Sequence, residues 1–200
     1  MKFNQSLGVA ISSDDGVLPL NLTEAKAHLR IGKNDNDEDD SLEAYIRSAV
    51  RYIEKETNRA VLSKTYIETF GPICGRCIPL GRYCATDISK VEYLNSDDEW
   101  TQIDSTQFYL SAAGVAPSLI KLKAAYDWPS DFIANGEERL RITYEAGAAS
   151  VAEIDPEIKQ AIKFLTAHYF ENRVPITEAS SSEVPLTIQA SIDLLKIYWL

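Results

Sequence analysis

The sequence predicts an α+β protein, on three observations. Apolar residues recur at helical spacing near both ends of the chain. In the middle they alternate with polar residues at strand spacing. Gly, Asn, Asp and Pro punctuate the strand-like runs. Five segments follow: an N-terminal extension over 1–19, a first helical part over 20–60, a β part over 61–150, a second helical part over 151–176, and a loop with a terminal segment over 177–200.

In the first helical part, Thr23 is a candidate N-cap, Ala25 and Leu29 continue the apolar positions of a short helix, and Gly32 is placed to end it. The acidic run Asn34 to Asp40 comes next. Leu42, Tyr45, Ile46, Ala49, Val50 and Ile53 then keep a period of about 3.6, which predicts a helix through about Asn58. In the β part, Val61–Phe70 is rich in β-branched and aromatic residues. Lys90–Tyr93, Ile120–Ala124 and Leu140–Tyr144 alternate as half-buried strands do, with weaker candidates at Trp100–Ile103 and Phe108–Leu110. Such a series predicts a small antiparallel sandwich or barrel. In the second helical part, Asp155-Pro156-Glu157 combines an N-cap, Pro at the first helical position and an acid in the first turn. The helix it opens carries Ile158, Ala161, Ile162, Leu165 and Tyr169 on one stripe, widened by Phe164 and His168, and Pro175 bounds it. Thr177–Glu183 reads as a mobile loop.

The terminal segment ends on Ile197-Tyr198-Trp199-Leu200. Chain ends are usually polar and frayed, so this ending either packs on the protein's own core or docks into a partner, where aromatic anchors supply much of the binding energy.

The 200 residues carry 20 Lys+Arg against 30 Asp+Glu, a net charge of −10. That balance disfavours holding nucleic acid by phosphate neutralisation and disfavours a polybasic membrane clamp. No apolar run reaches membrane-spanning length, and Met1–Ser12 is too weak for a secretory signal, so a cytoplasmic chain with protein partners is expected. The three cysteines all lie between Cys74 and Cys84 and read as free thiols of a reducing compartment.

Candidate chemistry is sparse. Cys74-Gly75-Arg76-Cys77 has the spacing of zinc and redox sites, with Cys84 as a third sulfur, yet a fourth ligand is lacking nearby. A metal-binding or enzymatic site on the Cys74–Cys84 loop is therefore the alternative reading. Asp35, Asp37, Asp39, Ser41 and Glu43 mimic a calcium loop, but the required Gly and the bidentate Glu are replaced by Asp40 and Ile46. The run reads instead as the acidic start of a helix. Hydrolase, zinc-protease and nucleotide-binding signatures are missing, and His28 and His168 are the only histidines. Tyr83, Trp100, Tyr109 and Trp128 suggest a further alternative, a glycan- or peptide-binding β module. No catalytic residue, metal or cofactor is assigned.

The order of segments resembles a family, the head–tail connector (adaptor) proteins of tailed bacteriophages, prophages and gene transfer agents. The resemblance rests on Leu22-Thr23-Glu24-Ala25-Lys26-Ala27-His28-Leu29-Arg30-Ile31, on Asp40–Ile46, Tyr52-Ile53-Glu54 and Thr57–Ala60, on Ile78-Pro79-Leu80 and Val91–Leu94, and on Ile154–Ile162, Ala167–Arg173 and Glu183 onward. Gly71–Ala85 and the apolar ending depart from the pattern. The resemblance implies a helical core formed by the N- and C-terminal helices, with an inserted small antiparallel β domain, and a structural virion protein rather than an enzyme. It implies a homo-oligomeric ring, commonly twelvefold, beneath the portal protein at the portal vertex of the virion. Such a ring is made in the bacterial host cytoplasm, extends the DNA channel without sequence-specific binding, and offers a platform to a stopper or tail protein. On this reading Ile188, Ile192, Leu195, Tyr198, Trp199 and Leu200 are the candidate portal-docking residues. Tyr45, Arg47, Arg51, Phe164 and His168, on faces of the two longer helices, are the candidate ring interface, since a closing ring needs two different patches on each protomer.

Overall fold

The computed structural model describes residues 4, 6–111, 118–133, 136–172 and 186–196. They fall into two compact units, each assembled from separated stretches of chain. Gly16–Leu62 and the segment following Gly147 make a helical unit; Ser63–Gly147 and the residues up to Asp15 make a β unit.

The helical unit begins with α1 (Leu22–Leu29). Its N-cap is Asn21, not Thr23: the Asn21 side-chain oxygen accepts from the Glu24 amide at 2.8 Å. The preference for Asn at this position is at least as strong as for Thr, and one residue decides which amide the oxygen reaches. Arg30 at φ 60° ends the helix before Gly32 is reached. Next, α2 (Asp39–Thr57) buries Leu42, Ile46, Ala49, Val50 and Ile53, as its period predicts. The helix stops at Asn58, whose φ of 56° suits a side chain that tolerates the left-handed region. Then α3 (Pro156–Glu171) starts as expected, with the Asp155 carboxylate accepting from the Glu157 amide at 2.9 Å. The last helix is α4 (Leu186–Leu195). The four helices share one apolar core, which includes Leu20, Leu42, Ile46, Ile53, Ile162 and Leu165.

The β unit contains eight described strands: β1 (Ser6–Asp14), β2 (Lys64–Phe70), β3 (Cys77–Pro79), β4 (Ala85–Leu94), β5 (Trp100–Gln102), β6 (Phe108–Ser111), β7 (Leu119–Leu122) and β8 (Leu140–Ala146). One sheet runs β1-β2-β8-β4-β5 and the other β3-β7-β6, with antiparallel pairing throughout. Register carries the core. Tyr66 faces Tyr144, Phe70 faces Leu140, and Val91 faces Ile142, so one face of the central three strands is largely apolar, with Glu68 on it opposite Ile142. The Tyr66 and Tyr144 rings stack at 5.8 Å. Residues 6–14, expected only as an extension, form edge strand β1, and β3 was also not anticipated. Both are poor in the signals that betray strands: β1 is exposed along nearly its whole length, and β3 has three residues ending in Pro79.

Gly71 marks a place where the chain must pass close to itself. A Cβ there would stand 2.3 Å from the Gly136 carbonyl oxygen and 3.0 Å from the Glu138 amide. Only glycine allows that approach.

Candidate functional site

The residues singled out from the sequence fall on three surfaces of the helical unit and one loop of the β unit.

The first surface is α4. Ile188, Ile192 and Leu195, expected to dock on a portal, are buried in the helical core, Ile192 completely. This corrects the expectation for these three residues. Their spacing of i, i+4 and i+7 marks a face that needs covering, and α2 and α3 are close enough in the fold to cover it. Polar contacts hold α4 in place. The Tyr52 hydroxyl donates to Gln189 Oε1 at 3.0 Å, and Arg59 Nε donates to the Leu195 carbonyl at 3.0 Å. Lys196 pairs with Asp193 at 2.9 Å and with Glu56 at 3.1 Å, and those bonds raise its pKa. The outward face of α4 is also apolar: Leu186 and Leu194 are 87% and 84% exposed, and Ala190 lies between them at helical spacing. Tyr198, Trp199 and Leu200 lie outside the described residues.

The second surface is the side of α2 turned away from the core. Tyr45 is half-buried, and Arg47 and Arg51 are exposed. Arg47 pairs with Glu43 one turn earlier at 2.6 Å and donates to the Gly16 carbonyl at 3.1 Å. Sequence reasoning missed Lys55. It is exposed and continues the i, i+4, i+8 spacing begun by Arg47 and Arg51, a signal legible once charge is read with the same period as hydrophobicity.

The third surface is the outward side of α3. Phe164 is 41% exposed, and its ring centroid lies 6.0 Å from that of His28 on α1. His168 is half-buried against Tyr169 at 5.9 Å, with the Asn172 side chain donating to its carbonyl at 2.8 Å. Glu157, Gln160 and Glu171 are exposed on the same side.

The acidic run between α1 and α2 is held by one buried cation. Lys26 Nζ donates to Asn36 Oδ1 at 2.9 Å and pairs with Asp39 Oδ1 at 2.6 Å. Its side chain is 6% exposed, so the pair is strongly desolvated on the lysine side. Asn36, itself exposed, and the half-buried Asp39 thus turn toward Lys26, while Asp35, Asp37 and Asp40 are exposed.

In the β unit, the Cys74–Cys77 loop is tied down by hydrogen bonds to residues outside it. The Asn4 side chain accepts from the Cys74 amide and donates to the Cys77 carbonyl at 2.6 Å. Arg76 donates to Asp127 and to the carbonyls of Lys123 and Tyr126, and Trp128 Nε1 donates to the Gly75 carbonyl at 2.9 Å. Cys74 and Cys77 are exposed and Cys84 is half-buried. Among the described residues, no group of three or more His, Cys, Asp or Glu is placed to hold a metal ion. Of the aromatic residues considered for ligand binding, Tyr83 belongs to the core and Trp100 is covered by the Arg141 guanidinium at 4.0 Å. Glu68 is fully buried, accepting at Oε2 from the Gly81 amide at 2.8 Å and from the Tyr144 hydroxyl at 3.0 Å. Burial pushes its pKa up, while those hydrogen bonds and the charge of Arg82 pull the other way. Burial and the neighbouring Glu68 push the Tyr144 hydroxyl up as well. No helix among the described residues is long and apolar enough to cross a membrane.

The described geometry is one of surfaces. Residues 19–73, which span α1, α2 and β2, match the family of phage gp6-like head-tail connector proteins. That partial match is in line with the head–tail connector resemblance read from the sequence, and the α+β fold with an antiparallel β part is the one observed. Solved structures extend the likeness along the chain. A chain from the neck of an empty gene transfer agent (GTA) particle, computed with C6 symmetry, aligns with a TM-score of 0.77 at 20% identity over 97% of each chain. A chain from the virion of a native GTA particle aligns at 0.76 with 22% identity over 96% of each. A chain from the neck of a native GTA particle, computed with C12 symmetry, aligns at 0.73 with 20% identity over 97% of each. No curated protein sequence matches the chain.

Proposed function

We propose that this protein is a structural head–tail connector: a subunit of a ring in the neck of a tailed virus-like particle, where it joins a portal to the next neck or tail component. The observation that carries the reading is the coincidence of a connector-family match over 19–73 with a neck-protein fold over nearly the full chain. The ring, commonly twelvefold, is consistent with the C6 and C12 symmetries of those necks. The net charge of −10 suits a channel through which DNA slides without adhering. No catalytic step is assigned to the chain.

The portal-docking surface follows from the two faces of α4. Its inner face holds the helix to the core, so docking belongs to the outer stripe of Leu186, Ala190 and Leu194, with Tyr198, Trp199 and Leu200, further along the sequence, as additional candidate anchors. Exposed apolar side chains at one helical spacing are the anchors a partner groove takes. Electron cryomicroscopy of particles from the same genome tests the reading. The expected result is this chain as a ring directly beneath the portal. Intact, tailed particles lacking the chain overturn it. For the docking surface, Leu186→Asp with Leu194→Asp is expected to abolish binding to purified portal while leaving the unfolding temperature unchanged.

A further inference from the structure

The proposed ring needs a contact between unlike faces of neighbouring copies, and the following inference rests on that reading while naming the two faces and what joins them. The chain is strongly acidic, so copies repel one another over most of their surface. Contact requires a place where that repulsion reverses.

The outward side of α2 is such a place. Arg47, Arg51 and Lys55 are exposed at i, i+4 and i+8, one above another along the helix. Arg47 is partly neutralised by Glu43. Arg51 and Lys55 have no ion-pair partner among the described residues. They stand opposite the buried positions Ile46, Ala49 and Ile53, so they point straight away from the core.

The complementary face is on α3. Its buried positions are Ile158, Ala161, Ile162, Leu165 and Thr166. The opposite side presents Glu157, Gln160, Phe164 and Glu171 as exposed residues, with the half-buried Lys163 and Ala167 between them, so that the exposed ring has an acid about two turns away on either side and one lysine beside it. Because α2 and α3 pack on each other through their buried faces, these two outward faces lie on opposite sides of the helical unit. A cyclic ring of many copies demands that placement, since each protomer must touch one neighbour with each side.

We infer that the Arg47–Arg51–Lys55 stripe of one copy docks on the Glu157–Phe164–Glu171 face of the next copy of the same chain. The acids meet the unpartnered cations, and Phe164 supplies the apolar centre, covered by the aliphatic stems of the Arg and Lys side chains. Such a contact is steered by charge and weakens with salt.

A charge swap tests the pairing. One variant carries Arg51→Glu and Lys55→Glu; a second carries Glu157→Lys and Glu171→Lys. Self-association is followed by sedimentation velocity up to millimolar protein, and contacts are mapped by zero-length carbodiimide crosslinking of mixed light and heavy isotope chains. Each variant alone is expected to lose about tenfold or more in association constant. An equimolar mixture is expected to recover it to within about threefold, because copies of the two variants then alternate, each altered stripe meeting an oppositely altered face and each unaltered stripe an unaltered face. In the unaltered chain, inter-copy crosslinks are expected from Lys55 to Glu157 or Glu171. Undiminished association of either variant, failure of the mixture to recover with both variants folded by circular dichroism, or no inter-copy species from the unaltered chain at any concentration overturns the inference. Its fate is separable from that of the connector reading. Recovery in the mixture with the chain absent from particle necks sinks the latter alone; a neck ring that forms from the first variant sinks the former alone.

Discussion

Both units of the molecule bury ionisable groups, and two of these, Lys26 in the helical unit and Glu68 in the β unit, are handled in opposite ways. In the helical unit, Lys26 is buried with its charge matched: Asp39 stands 2.6 Å away and Asn36 accepts a second bond. In the β unit, Glu68 is buried among neutral donors, an amide and a hydroxyl, with Arg82 as the nearby charge. The first arrangement makes a charge useful, because it pins an otherwise self-repelling acidic loop to the end of α1. The second leaves desolvation as the largest influence on the group. The lesson is that burial alone says little about what a charge contributes; the partner's charge decides it.

The sharpest test of the helical unit lies in α4, where the docking expectation and the structure part company. Ile192→Ala is expected to destabilise the protein by about 2–5 kcal/mol, the usual range for emptying a fully buried aliphatic site. Chemical denaturation measures it, and a loss below about 0.5 kcal/mol means that the residue is not core.

Next in size is Lys26→Met, which keeps the packing of the stem and removes the charge. The expected cost is about 2 kcal/mol, below that of breaking a fully buried pair because Asp39 keeps access to water. Amide hydrogen exchange should accelerate over residues 33–39 and stay unchanged in the β unit.

The corresponding change in the β unit is Glu68→Gln, and its effect is on pH dependence more than on magnitude. The folded state raises the Glu68 pKa above its ordinary value of 4.5, so folding favours the protonated form. The stabilisation it brings is complete below 4.5 and is lost as pH rises through the raised value. The difference in stability between Glu68→Gln and the unaltered protein should therefore grow in favour of the variant between acid and neutral pH. Thermal unfolding followed from pH 4 to 8, on the order of half-unit steps, measures that trend; an inverted trend means that the hydrogen bonds and Arg82 outweigh burial.

The smallest effect is expected from Leu194→Ala, on the outer face of α4. Stability should stay within about 0.5 kcal/mol of the unaltered protein. Side by side with Ile192→Ala, it separates the two faces of one helix by a single equilibrium measurement.

Those two faces also explain how far the sequence could be read. The periods of α2 and α3 were legible because each buries one broad stripe in one core. In α4, apolar residues occupy both sides of the helix, so periodicity cannot say which side the protein itself covers. The basic stripe of α2 was partly legible: Arg47 and Arg51 are interface candidates from the sequence, and Lys55 joins them once charge is read at the period of the buried face.

By itself the sequence determined the class of fold, the helix starts at Asp155 and the stripe of α2, the central strands, and the connector resemblance, because these rest on local periods, caps and ordered motifs. Only the tertiary structure decided that residues 6–14 close the edge of a sheet, that Lys26 reaches across to Asp39, that Asn4 ties the cysteine loop, and that Ile188, Ile192 and Leu195 are core. The physical reason is common to all four. Each is a pairing between residues whose individual chemistry permits several partners, and which partner wins is set by what the rest of the chain brings within reach.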